Sequence, residues 1–117
     1  MDAIVALTRS LDTSRPVVGN DGWEFSSGDL WTLHLYDGKG SVAERLARLI
    51  DNPQLPLFEV NGDGHERTGA LPGADVEGLP VLLTECGGVG FGRYGDSDFS
   101  YGELPQTEEE LQAHIED

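Results

Sequence analysis

Cysteine is almost absent: Cys86 is the only one, which excludes an intrachain disulfide and a zinc cluster built on thiolates. A lone thiol suits a reducing compartment. Basic side chains are also scarce, with 7 Lys and Arg against 22 Asp and Glu, and the resulting net charge of −15 repels phosphate backbones and anionic headgroups. No apolar run approaches the roughly 20 residues that a membrane span needs. The opening MDAIVALTRSLD carries an acid at position 2 and is too short and interrupted for a signal peptide. The expectation is a cytoplasmic chain with no nucleic-acid and no membrane partner, long enough for one modest domain over residues 1–117.

Patterned segments are nevertheless present. Ile4, Leu7 and Leu11 recur at helical spacing, so residues 1–12 read as an incoming helix with these three on its buried stripe. Pro16 to Asn20 is a short strand candidate, closed by the turn signal Asn20-Asp21-Gly22. Leu30 to Tyr36, LWTLHLY, is a second strand that reads as covered on both faces, and Asp37 to Gly40 breaks it. Ser41 and Glu44 form a capping box ahead of Val42, Leu46, Leu49 and Ile50, a helix that Asn52-Pro53 stops. Residues 54–78 read mostly as irregular loop, with one apolar piece at Leu55 to Val60. Val81 to Glu85 is a third strand, again buried on both faces, followed by a glycine-rich loop from Gly87 to Gly102. A second capping box, Thr107 with Glu110, opens a last helix carrying Leu111 and Ile115.

This alternation of strands and helices predicts an α/β fold with parallel strands. Three core strands leave open sheet edges, so self-association through those edges is expected. One residue in the third strand raises a question of its own. Glu85 follows Val-Leu-Leu-Thr directly, and an ionised carboxylate among such neighbours is costly unless it is paired.

Four stretches bear on that question: RPVVGNDGWE, LWTLHLYD, LPVLLTECGG and YGELPQTEEEL. In order and spacing they resemble the C-terminal half of the catalytic barrel of glycoside hydrolase family 2, which includes β-galactosidases, β-glucuronidases and β-mannosidases. The resemblance spans most of the chain and implies a partial (β/α)₈ TIM barrel, roughly strands five to seven with flanking helices. It implies that Glu85 is the catalytic nucleophile of a retaining exo-β-glycosidase acting on a carbohydrate with a terminal β-linked sugar. It further implies that His34, Tyr36, Asn20 and Trp23 contact the sugar, with Tyr36 in reach of Glu85. Retaining enzymes need a second carboxyl group about 5 to 5.5 Å from the first. The family's acid/base glutamate sits in an Asn-Glu motif, and that dipeptide does not occur here, so the chain alone is expected to be inactive and to associate with a missing N-terminal half. The sequence also departs from the family pattern at Leu35, where an acid is usual, and at Cys86, where an aromatic residue is usual.

Simpler readings stand beside these. His34 is equally readable as a satisfied core histidine, Trp23 and Trp31 as core rather than a sugar platform, and Cys86 as inert packing. No cofactor or metal is expected. Gly90 to Gly95 fits G-x-G-x-x-G, but no helix opens there, and the calcium-loop start Asp96-Ser97-Asp98 lacks the required glycine and glutamate. The alternative function is a small acidic, non-catalytic interaction module that self-associates.

Overall fold

The structure is a computed structural model that describes residues 1–36, 42–59, 66–88, 90–92 and 104–116. The turn at 37–40, the Ser41 half of the first capping box and most of the glycine-rich loop, including residues 93–95 of its first motif-like stretch and all of the second, lie outside the described residues. The elements in chain order are α1 (Asp2–Leu11), β1 (Trp31–Leu35), α2 (Val42–Asp51), β2 (Pro56–Glu59), β3 (Glu66–Thr68), β4 (Val81–Cys86) and α3 (Glu108–Glu116).

β1 supplies the centre of the core. Side chains alternate across a strand, so Trp31, Leu33 and Leu35 share one face. There they join Phe25, Leu49, Leu57 and Ala70 in the buried cluster, with Leu79, Val81 and Leu83 packed against it. Thr32 and His34 point to the other face, and they are buried as well. The expectation that β1 is covered on both sides holds, but its second face is polar.

The expected partial barrel does not form. The described residues hold two separate two-stranded sheets, β1 with β4 and β2 with β3, and only the β1–β4 pair is parallel. The candidate strand at 16–20 is not a strand. Pro16 has no N–H to give, and Asp29 takes both backbone groups of Val17: its carboxylate accepts the Val17 N–H at 2.7 Å, and its own N–H bonds the Val17 carbonyl at 2.8 Å. The backbone groups of Val17 are thus spent on a loop rather than on a ladder. Residues 54–78, read as loop, instead contain β2 and β3 paired antiparallel.

Two burial expectations also fail. Val81 and Leu83 of β4 are half-buried, but Leu82, Thr84, Glu85 and Cys86 are exposed, because β1 is the one strand paired with β4 among the described residues. Cys86 is therefore an exposed thiol rather than packing. On α1 the stripe Ile4, Leu7 and Leu11 faces solvent, and Val5 is the buried residue. Polar contacts set that orientation. Ser26 and Ser27 donate to the Asp2 carboxylate at 2.9 and 2.8 Å, and Arg9 pairs with Asp29.

α2 and α3 start near where their sequence signals put them. Leu49 of α2 enters the core while Ile50 is exposed. At α3 the capping box is realised in both directions: the Glu110 N–H donates to Thr107 Oγ1 at 3.2 Å, and the Thr107 N–H donates to the Glu110 carboxylate at 3.3 Å.

Candidate functional site

The polar face of β1 meets the exposed end of β4. The parallel register runs Trp31 to Leu33 against Val81 to Leu83 and then shifts, so that His34 lies opposite Glu85. The one-residue irregularity places Thr84 in the extra position, as a bulge does when it re-aims side chains. Tyr36 follows the end of β1, two residues on from His34, and both side chains reach the Glu85 carboxylate.

The contacts follow from that placement. Tyr36 donates its hydroxyl proton to Glu85 Oε2. The Tyr36 oxygen also lies 3.1 Å from His34 Nδ1, and Glu85 Oε2 is 3.8 Å from the same nitrogen. Glu85 is about half exposed at 55%, whereas the His34 side chain is only 7% exposed. The histidine backs the site from beneath while the carboxylate stands at its mouth.

The loop at residues 20–24 closes the outer edge of β1. Gly22 accepts the His34 N–H at 3.0 Å and donates its own N–H to Thr32 Oγ1 at 3.2 Å. So close an approach leaves no room for a side chain: a Cβ on Gly22, whose φ is +88°, would sit 2.4 Å from the imidazole. Next to it, Asp21 brings a carboxylate 3.5 Å from His34 Nε2. Thr84 donates to that carboxylate at 2.9 Å. Hydrogen bonding from Thr32 is the main cause that holds the Asp21 carboxyl below its ordinary range, with Thr84 and the neighbouring His34 acting in the same direction against partial desolvation.

Trp23 stands edge-on to His34, with ring centroids 5.1 Å apart and planes at 86°. Arg67 of β3 lies over the indole at 5.8 Å and pairs with Glu24 at 2.8 Å. Glu24 has a positive φ of 52°, an uncommon conformation for a residue with a side chain.

Of the residues expected from sequence, Glu85, His34, Tyr36 and Trp23 are brought together. Asn20 is near but engaged elsewhere, since its amide donates to the Trp23 carbonyl at 2.5 Å and closes the turn. Trp31 is a core residue, 2% exposed, with its indole N–H on the Gly69 carbonyl at 3.0 Å. Asp21, Gly22, Thr32 and Thr84 were not legible as site residues. Asn20-Asp21-Gly22 reads as a turn and nothing more, because the contact to His34 crosses between segments. Among the described residues no group of three or more His, Cys, Asp or Glu is placed to hold a metal ion, and no helix is long and apolar enough to cross a membrane. No protein-family model, no curated protein and no solved structure matches this chain.

The lowered Asp21 value has a signed consequence for stability. A carboxyl whose folded value is depressed stabilises the fold above its ordinary value, and that contribution is lost as the pH falls through the lower folded value. The stability difference between the wild type and Asp21→Asn is therefore expected to be present at neutral pH and to close on acidification through the carboxylate range. Taking the difference removes the general charge relief that acid brings to a chain of net charge −15. Chemical denaturation of both proteins across a pH series measures it, and a gap that widens in acid would contradict the assignment.

Proposed function

We propose that Glu85 is the nucleophilic carboxylate of a retaining β-glycosidase site for a terminal β-linked sugar, with the acid/base group supplied from outside these residues. The observation that carries this reading is the Tyr36 hydroxyl bonded to Glu85 Oε2 at the half-exposed end of β4. A nucleophile must be held in one orientation toward the anomeric carbon, and a charge-assisted bond from a phenol just past the neighbouring strand does this while leaving Oε1 for attack. The backing His34 and the half-buried Trp23 border the same face. The resemblance of the Thr-Glu-Cys-Gly-Gly stretch to the nucleophile segment of family 2 supports the same assignment. Asp21 is not the second carboxyl of the pair, because the imidazole of His34 stands between it and Glu85. The single thiol and the acidic composition suit a cytoplasmic setting.

The test is covalent trapping. The chain is combined with the N-terminal half of a related glycosidase and treated with a 2-deoxy-2-fluoro glycosyl fluoride, in which C2 fluorine slows the oxocarbenium-like steps while fluoride leaves readily. Peptide mapping is expected to place the sugar on Glu85, and Glu85→Gln to abolish labelling. The chain alone is expected to turn over aryl β-glycosides at less than about a hundredth of a typical rate of roughly 10 s⁻¹. Label on Glu24, or no label in a folded complex that binds sugar, rejects the reading.

A further inference from the structure

Proton accounting behind Glu85 reaches further than the carboxylate itself. Tyr36 has one hydroxyl proton, and it goes to Glu85. With that donation the 3.1 Å contact between the Tyr36 oxygen and His34 Nδ1 is a hydrogen bond when Nδ1 carries a proton, since a phenol that has given its hydrogen away can only accept. On the far side of the ring, Nε2 is buried without a hydrogen bond, and its facing group is the Asp21 carboxylate at 3.5 Å. A bare Nε2 would set a buried nitrogen lone pair, itself without a donor, against a half-exposed carboxylate, an arrangement that costs free energy. A proton on Nε2 turns that repulsion into attraction.

We propose that Asp21 is a positioning residue that acts through His34 and Tyr36 to set the proton on Glu85. The inference rests on the reading that Glu85 is the functional carboxylate. Three protons are shared along the chain: one on Nε2 facing Asp21, one between Nδ1 and the Tyr36 oxygen, and one between that oxygen and Glu85. They have two arrangements of equal proton count. In the first, His34 is an imidazolium and Glu85 a carboxylate. In the second, the Nδ1–H bond breaks as an O–H bond forms on Tyr36, the original Tyr36 O–H bond breaks, and an O–H bond forms on Glu85. The charges on His34 and Glu85 cancel, and Nε2 keeps its proton facing Asp21 in both.

The groups around the imidazole are consistent with this division of labour. Asp21 comes from the 20–24 loop, Glu85 and Thr84 from β4, and Tyr36 from the residue just past β1. Trp23 meets the ring by an edge, and Arg67 of β3 is beyond the indole and already paired with Glu24. Thr84 bonds Asp21 at 2.9 Å, which holds its carboxylate in place. Glu85 and Asp21 thus flank one imidazole without touching each other.

Imidazole nitrogen and carboxyl carbon resonances of the full chain test this without any sugar. In the wild type at neutral pH, ¹⁵N shifts are expected to show a protonated Nε2, and a bare Nε2 would overturn the proposal before any variant is made. Asp21→Asn, which keeps the shape of the side chain, is expected to change the Nε2 signal and to move the Glu85 carboxyl carbon, although Asp21 does not contact Glu85. In a Tyr36→Phe background the same substitution is expected to move Glu85 less, because only the direct 3.8 Å approach of Nδ1 to Glu85 remains. An equal movement of Glu85 with and without the Tyr36 hydroxyl means a field through space and rejects the chain, and no movement in a folded Asp21→Asn protein rejects the role of Asp21. Sugar labelling of Glu85 is a separate readout, so failure of this proposal and failure of the glycosidase reading are distinguishable.

Discussion

Trp31→Ala is expected to remove a large share of the stability of this fold, about 3–5 kcal/mol from truncating a buried tryptophan. Trp31 is 2% exposed and sits at the start of β1 among Phe25, Leu33, Leu57 and Ala70, so the cavity opens in the middle of the core. A second cost adds to the first. The Gly69 carbonyl loses the indole N–H that it accepts at 3.0 Å but keeps the Phe25 N–H at 3.2 Å, so this second cost is that of one hydrogen bond, about 0.5–1.5 kcal/mol. Small domains hold only about 5–15 kcal/mol in total, so the variant is expected to be largely unfolded or to melt at a far lower denaturant concentration. Urea denaturation followed by circular dichroism measures this. Trp31→Phe separates the two terms, since it retains most of the ring volume and loses the N–H. A midpoint for Trp31→Ala close to the wild type would mean that the β1 face is not the core.

Gly22→Ala is the second large effect, and it strikes the site directly. With φ at +88° the new residue would adopt a left-handed conformation that costs about 1–2 kcal/mol for a residue with a Cβ. The methyl would also sit 2.4 Å from Cγ and Nδ1 of His34, a distance that forces the imidazole or the loop to move. Overpacking of this kind costs about 1–3 kcal/mol more. Gly73 provides the control, because its φ is nearly the same at +86° and nothing lies within 4 Å of the place where its Cβ would be. Gly73→Ala is expected to lose only the backbone part and to leave the His34 and Tyr36 ring resonances unchanged. Gly22→Ala is expected to lose more and to shift both rings. Equal losses in the two variants would show that the loop does not press on His34.

Local signals in the sequence were legible where one segment decides its own structure. The Thr107 and Glu110 box is a matter of four consecutive residues, and it closes as read, with both reciprocal bonds made. The Val42 to Asp51 helix and the β1 and β4 strands follow from apolar spacing in the same way. Glu85 stood out as a carboxylate directly after Val-Leu-Leu-Thr, but the burial expected to make it costly is absent, since Glu85 is exposed at the end of β4.

Tertiary contacts decided the rest. Spacing on α1 predicted Ile4, Leu7 and Leu11 inward, but Asp2 and Arg9 bind Ser26, Ser27 and Asp29, and these partners, distant in sequence, turn the helix so that Val5 is buried instead. The apolar run at Pro16 to Asn20 carries strand propensity, yet Asp29 takes the backbone groups of Val17 that a ladder needs, so the expected barrel strand is replaced by a tie to a loop. Propensity belongs to a segment, whereas a ladder needs a partner with unspent donors and acceptors. The same holds for the site. His34, Tyr36 and Glu85 are named by their segments, but the shift in register that sets His34 against Glu85, and the loop that carries Asp21 to Nε2, arise only when β1, β4 and residues 20–24 pack together.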